Sequence, residues 1–363
     1  MPAARPSDMF VGMSDRGVWP RAWLAGWTVV VLGVPAGAQT SAPAPPALFD
    51  SAEPLEFTLT TNLKAVDKDR GTDRHYHPAV LSFSGPDHAP ATLNIRVITR
   101  GIFRLKPTTC WFPPLLLVLP KKAAAATVFG HRNKLKLVTY CRNKDDYEQY
   151  VVQEYLIYRM YNLLTPRSFR VRLARVTYAD SAGKETAVTR YGFLIEDDRE
   201  LAERNRAKVV ATKGMLQDEI DSTNMAMVAV FQYMIANTDW SVWGLHNIKL
   251  LADSIGVVYA VPWDFDWSGV IAPPYAKPDA RLPIQSVRQR LFRGSCRTAD
   301  ELAAVFAPFQ AKKDSIYSLY QNEPALTPKS REQTLRYYDE FYKTISDPRA
   351  VKREFLQVCG NRT

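Results

Sequence analysis

Asn237-Thr238-Asp239-Trp240, His246-Asn247-Ile248-Lys249-Leu250 and Pro262-Trp263-Asp264-Phe265-Asp266 are three short runs that follow one another closely and carry most of the information in this chain. Ile248 to Leu251 and Val257 to Val261 are apolar enough for two paired strands, which read as a hairpin. Asp239 and Asn247 precede that hairpin and Asp264 and Asp266 follow it, so folding can bring three acids and an amide together. Hard divalent cations take oxygen ligands, and magnesium is usually held by one or two carboxylates plus substrate phosphates. Phosphoryl transfer also needs a carboxylate beside the attacking hydroxyl. Asp239 suits that base, Asn247 and Asp264 suit the metal, and Asp266 is a second candidate ligand. Structural roles compete with each assignment. Asp239 can cap the turn after Asn237-Thr238, Asn247 can hold a hairpin end, and an Asp-x-Asp pair often caps a turn. Trp240, Trp243, Trp263 and Trp267 read as core or rim packing, and His246 as a structural hydrogen-bonder rather than a metal ligand.

Outward from this stretch, Met225 to Ala236 is apolar enough for a buried helix. Earlier, Tyr147, Val151, Tyr155, Tyr158 and Leu163 recur at helical spacing, and acids at Asp145 and Asp146 precede them, which predicts a helix over 145–164. Strands are predicted at Phe57–Thr60, Leu93–Val97, Leu115–Leu119 and Lys134–Val138. Two more, Val171–Tyr178 and Tyr191–Ile195, flank the turn residues Asp180-Ser181-Ala182-Gly183-Lys184. The tail, 299–309 and 329–345, is helical by pattern. The domain reading is therefore a strand-rich part over 55–196 with one inserted helix, then a helix-rich part over 197–363, joined near 196–215.

The chain has 363 residues, 46% hydrophobic and 23% charged, which excludes a largely disordered or collagen-like protein. Arg16 and Arg21 precede the apolar run from Ala22 to Val34, and Pro35-Ala36-Gly37-Ala38-Gln39 follows, as in a secretory signal over 1–38 cleaved after Ala38. A Pro/Ala-rich linker over 39–54 comes next. The expected location is outside the cytoplasm, periplasmic or extracellular, with no transmembrane segment after signal cleavage. There, the four cysteines Cys110, Cys141, Cys296 and Cys359 can form one or two disulfides, with three pairings open. Residues 88–144 carry eleven Lys or Arg and no Asp or Glu; subtracting eleven from the net +10 leaves −1 for the rest. Such a patch attracts anions. No helix-turn-helix, zinc-finger or RNA-binding signature accompanies it, so nucleic acid is not an expected partner.

Taken together, Glu154-Tyr155-Leu156-Ile157-Tyr158-Arg159-Met160-Tyr161, Tyr191-Gly192-Phe193-Leu194-Ile195-Glu196 and the three runs quoted first resemble the spore-coat-protein-H (CotH) family of atypical protein kinases, in particular an uncharacterised group of exported bacterial proteins. The resemblance covers about residues 92–270. It implies an α+β, two-lobed protein-kinase-like fold, with a strand-rich N-lobe bearing one inserted helix and a helix-rich C-lobe. ATP or another nucleotide donor would sit in the cleft with Mg2+ or Mn2+. On this resemblance Asp239 matches the catalytic-loop aspartate, Asn247 the downstream metal asparagine and Asp264 the metal aspartate after the hairpin. Glu196 matches the end of the hinge strand. Glu154 is the helix acid that pairs with a strand lysine, Lys136 in the first place and Lys134 in the second. Only Arg100-Gly101 remains of a glycine-rich loop. The implied activity moves a phosphoryl group to a hydroxyl of a protein or small molecule. The alternatives are a catalytically inactive pseudokinase-like binding module of the cell envelope and a metal-dependent transferase using a sugar nucleotide at Asp-x-Asp.

Overall fold

Alternation of apolar and polar residues with period two gives seven strands one face for a shared interior and one for the outside. The computed structural model describes residues 48–85 and 88–359. The strands are β1 (Leu55–Thr61), β2 (His77–Ser84), β3 (Pro90–Thr99), β4 (Leu115–Val118), β5 (Lys134–Val138), β6 (Val171–Asp180) and β7 (Val188–Ile195). They close into a barrel in the order β1-β2-β3-β4-β5-β7-β6. Neighbours are antiparallel except at the seam, where β1 runs parallel to β6 with Phe57 opposite Val176. Leu59, Leu81, Val97, Leu117, Leu137 and Leu194 fill the interior. The alternate residues of β5 and β7, Val138, Phe193 and Ile195, face outward into a second core.

Two short helices, α1 (Leu63–Lys68) and α2 (Lys121–Ala124), lie in barrel connections, and α3 (Asp145–Leu164) joins β5 to β6. Asp145, Asp146 and Glu148 occupy the first turn of α3, where acids favour a helix start. After the barrel come α4 (Asp198–Arg204), β8 (Lys208–Val210), α5 (Ser222–Met234), β9 (Ile248–Ala252) and β10 (Val258–Pro262). The order β10-β9-β8 makes a separate three-stranded sheet. The last described helices are α6 (Ala299–Ala311), α7 (Lys313–Gln321), α8 (Pro328–Ser346) and α9 (Pro348–Val351), followed by a π-helical segment (Lys352–Leu356) and α10 (Gln357–Cys359). Phe231, Ile248, Phe265, Phe309, Tyr338 and Phe341 pack with α3 and the outer faces of β5–β7 in the second core.

This architecture corrects the expected α+β, two-lobed protein-kinase-like fold with its strand-rich N-lobe and helix-rich C-lobe. The strands form a closed mixed barrel of seven, not one lobe of a two-lobed molecule, and a second small sheet stands among the helices. Residues 45–363 cluster as one unit. The physical reason is pairing: period two tells which face of a strand is buried, not which strand lies beside it, and β1 returning in parallel to β6 removes the free edges.

The expected signal segment over 1–38 lies outside the described residues, as does most of the expected linker. Within the last part of that linker, Leu48 is buried in the barrel core and its carbonyl accepts from Arg172 Nη1 at 3.1 Å. Cys110 and Cys141 form a disulfide and Cys296 is also disulfide-bonded. Among the described residues no helix is long and apolar enough to cross a membrane. Gly192 permits the close approach of β7 to β5: a Cβ there would stand 2.6 Å from the Val138 carbonyl oxygen.

Candidate functional site

At the end of α5 the chain turns through Ala236, whose φ is +50°. Asn237 is buried, and its side-chain oxygen accepts from the Asp239 N–H at 3.0 Å. Arg293 braces the same turn from behind, with Nη1 donating to the carbonyls of Thr238 and Trp240. An isolated bridge between Ser241 and His246 then closes a short loop that returns the chain beside Asp239. As a result His246 Nε2 donates to Asp239 Oδ1 at 2.8 Å, and Asn247 Nδ2 donates to Asp239 Oδ2 at 3.0 Å and to its carbonyl at 2.8 Å. The hydrogen bond to Asp239 raises the His246 pKa, against its partial burial.

Hairpin register does the rest. Ile248 pairs with Pro262, and one step beyond the ladder the Trp263 N–H donates to the Asn247 carbonyl at 3.0 Å. Asn247 and Asp264 are thereby neighbours despite their separation in sequence. Tyr158 of α3 holds the Asp264 backbone, its hydroxyl accepting from the N–H at 2.7 Å. Leu245, Asn247 and Asp264 all have positive φ, at +50°, +52° and +60°. Non-glycine residues held in that region are uncommon and concentrate at functional sites.

Asp239, Asn247, Asp264 and Asp266 line one cleft of about 410 Å³. Val138, Ile195, Trp263 and Trp267 provide its apolar walls, and Phe103 packs edge-on against Trp267 with ring centres 4.9 Å apart. Asp266 is nearly buried and accepts from the Tyr275 hydroxyl at 3.2 Å. Burial, then the nearby Asp264 carboxylate, raise its pKa to about 7. Glu154, buried on α3, is pushed up by its burial and by Asp266 and Asp264. Its nearest cation is Arg104, whose Nη1 is 4.0 Å away.

Two of the expected partners stand elsewhere. Lys136 donates to Asp198 Oδ1 at 2.6 Å and not to Glu154; Lys249 shares the same carboxylate at 2.9 Å. The Lys136 ammonium lies 5.1 Å above the Trp263 ring, against the edge of the cleft. Lys134 is exposed and lines a different cavity with Arg132 and Glu200. Glu196 is fully buried, and its oxygens accept from Arg170 and Arg204, so its lone pairs are occupied at the end of β7.

The sequence reading placed Arg100 and Arg104 in the basic, anion-attracting segment 88–144, and Arg100 in the remnant of a glycine-rich loop, without singling either out as a cleft residue. Both line it. Arg104 donates to the Thr139 carbonyl at 2.8 Å. Arg100 makes no side-chain hydrogen bond or ion pair among the described residues; burial lowers its pKa and Asp264 and Glu154 oppose that. The available signal was charge balance: a buried acidic cluster needs cations, and the acid-free segment 88–144 is where they come from.

Oxygen donors remain free in this cleft. Among the described residues the Asp264 carboxylate has no hydrogen-bond or ion-pair partner, and Asn247 Oδ1 accepts nothing. Among the same residues no three His, Cys, Asp or Glu side chains form a ready metal cluster. Carboxylate and amide oxygens are the donor type a hard cation takes, and magnesium usually completes its shell with water and ligand phosphates. No protein-family model matches the chain, and no curated protein matches it.

Proposed function

We propose that this chain is a phosphotransferase that moves a phosphoryl group from a nucleotide to a hydroxyl acceptor. The observation that carries the reading is the meeting of Asp239, Asn247, Asp264 and Asp266 in one cleft with Arg100 and Arg104. Asn247 and Asp264 would hold Mg2+ or Mn2+, with Asp266 beside them; the ion would neutralise charge on the donor phosphates. Arg100, whose side chain makes no hydrogen bond or ion pair among the described residues, offers its planar fork to those phosphates. The apolar walls suit the flat face of a nucleobase. Asp239 takes the proton of the acceptor hydroxyl as its oxygen bonds to phosphorus, and the phosphoanhydride bond to the departing nucleoside diphosphate breaks. His246 and Asn247 orient that carboxylate through their hydrogen bonds.

The resemblance of these motifs to CotH proteins points to the same class of reaction. The buried Cys110–Cys141 disulfide suits an oxidising compartment, in keeping with export. A second reading, a catalytically silent binding module of the envelope, draws support from the Asp239 carboxylate being engaged on both oxygens.

Thermal shift with ATP, other nucleotides and sugar nucleotides, each with Mg2+ or Mn2+, tests donor binding. Transfer from a γ-labelled nucleotide tests the reaction. Asp239→Ala is expected to keep the fold and donor binding and to lose about 10²-fold or more in transfer. Binding without any transfer by the unaltered chain selects the silent module, and stabilisation by a sugar nucleotide alone selects a glycosyl donor.

A further inference from the structure

We propose that a second cavity, also lined by Asp239, is the acceptor pocket, and that it takes a small hydroxyl compound bearing an anionic group. The inference rests on Asp239 being the base of the reaction proposed above. This cavity has a volume of about 790 Å³ and shares Asp239, His246 and Trp267 with the nucleotide cleft. Two cavities thus share one carboxylate, as a two-substrate transfer requires: one cavity for the donor phosphates and one for the molecule that carries the attacking oxygen.

The part of its lining not shared with the first cleft carries three cations. Lys277, Arg281 and Arg293 line it, against Asp239 and Asp279. Asp239 is engaged by His246 and Asn247, and Asp279 is held by Arg281, whose Nε donates to Oδ1 at 3.0 Å. Arg293 spends its Nη1 on two backbone carbonyls but keeps its charge at the cavity. Lys277 is exposed and has no ion pair among the described residues. An ammonium with no ion pair attracts a phosphate or carboxylate. The donor phosphates have their own cations in Arg100 and Arg104, so the charge of Lys277 is left for the acceptor. A cavity of this size suits a ligand of small-molecule dimensions rather than a polypeptide laid across an open surface. With its anion at Lys277, such a molecule presents a hydroxyl toward Asp239. The acceptor oxygen–phosphorus bond forms, the donor anhydride bond breaks, and the hydroxyl proton goes to Asp239.

Calorimetry on the full chain tests this with glycerol 3-phosphate, glucose 6-phosphate and glycerate, beside the neutral glycerol and glucose. The unaltered chain and Lys277→Glu and Arg281→Glu variants are compared, with circular dichroism as the check on folding. At least one anion is expected to bind while its neutral counterpart does not, and Lys277→Glu is expected to weaken it about tenfold or more. Equal binding by the charge-reversed variants, equal binding of neutral compounds, or no binding by any of the three anions overturns the proposal. MgATP titrated into the same samples reports the other cavity. An anion that binds through Lys277 in a chain that never binds nucleotide keeps the anion pocket and sinks the donor reading instead.

Discussion

Arg100 and Asp264 are the two charged side chains of the cleft with no hydrogen-bonded partner among the described residues, and both are near enough to feel each other's field. Protein contacts do not consume them, so their removal should change binding more than folding. Arg100→Met is expected to weaken nucleotide affinity by about tenfold or more with little change in melting temperature; a large stability loss with unchanged affinity would make Arg100 a structural residue. Asp266 behaves in the opposite way. Its folded pKa of about 7 lies above the ordinary 3.8, so between those values the folded chain keeps a proton that the unfolded chain has released. Stability from this group is therefore present at low pH and lost as pH rises toward and through 7. Glu154 and His246 are shifted upward too and add with the same sign. Melting temperature without divalent cation should fall from pH 5 to pH 8. Asp266→Asn should flatten the fall, recovering on the order of a few kcal/mol at pH 8, and Mg2+ should protect the unaltered chain more at pH 8 than at pH 5. A melting temperature that rises with pH in the unaltered chain would contradict the assignment.

The elements were largely legible where one period ran long enough. The predicted helix over 145–164 is α3 residue for residue, and the hairpin that positions Asn247 and Asp264 is β9–β10 within a residue or so at each end. Asp239, Asn247, Asp264 and Asp266 converge because they flank that hairpin, and flanking is a local property a sequence can display. Lys136 with Glu154 failed as a pair for a non-local reason. Lys136 points outward from the barrel beside α4, where Asp198 meets it, while Glu154 turns toward the chain after β3 and finds Arg104. Nothing in the spacing of either residue tells which element will lie opposite. Gly192 belongs to this scale as well. Because a Cβ would press on the Val138 carbonyl, Gly192→Ala is expected to cost about 1–3 kcal/mol in urea denaturation by forcing β7 away from β5; wild-type stability would mean that the strands shift freely.

For the whole molecule the decisive feature is closure. β1 joins β6 across most of the described chain before the second core, and Leu59 sits at that seam with no exposure. Leu59→Ala should cost about 2–5 kcal/mol and unfold the barrel as one unit. The Cys110–Cys141 bond spans 31 residues and ties the chain after β3 to the end of β5. A Cys110→Ser/Cys141→Ser variant should lose about 3–4 kcal/mol by the chain-entropy estimate, and a variant as stable as the parent under non-reducing conditions would show that the barrel holds that loop unaided. The sequence by itself determined which segments are helix and strand, which faces are apolar, and which oxygen-bearing side chains flank one hairpin, because backbone periodicity and turn chemistry are local. Only the tertiary structure decided that seven strands close rather than stay open, that arginines and not a strand lysine answer the buried acids, and that two cavities meet at Asp239. Those outcomes depend on which distant segments become neighbours, and pairing free energy is set by the whole packed chain rather than by any window of it.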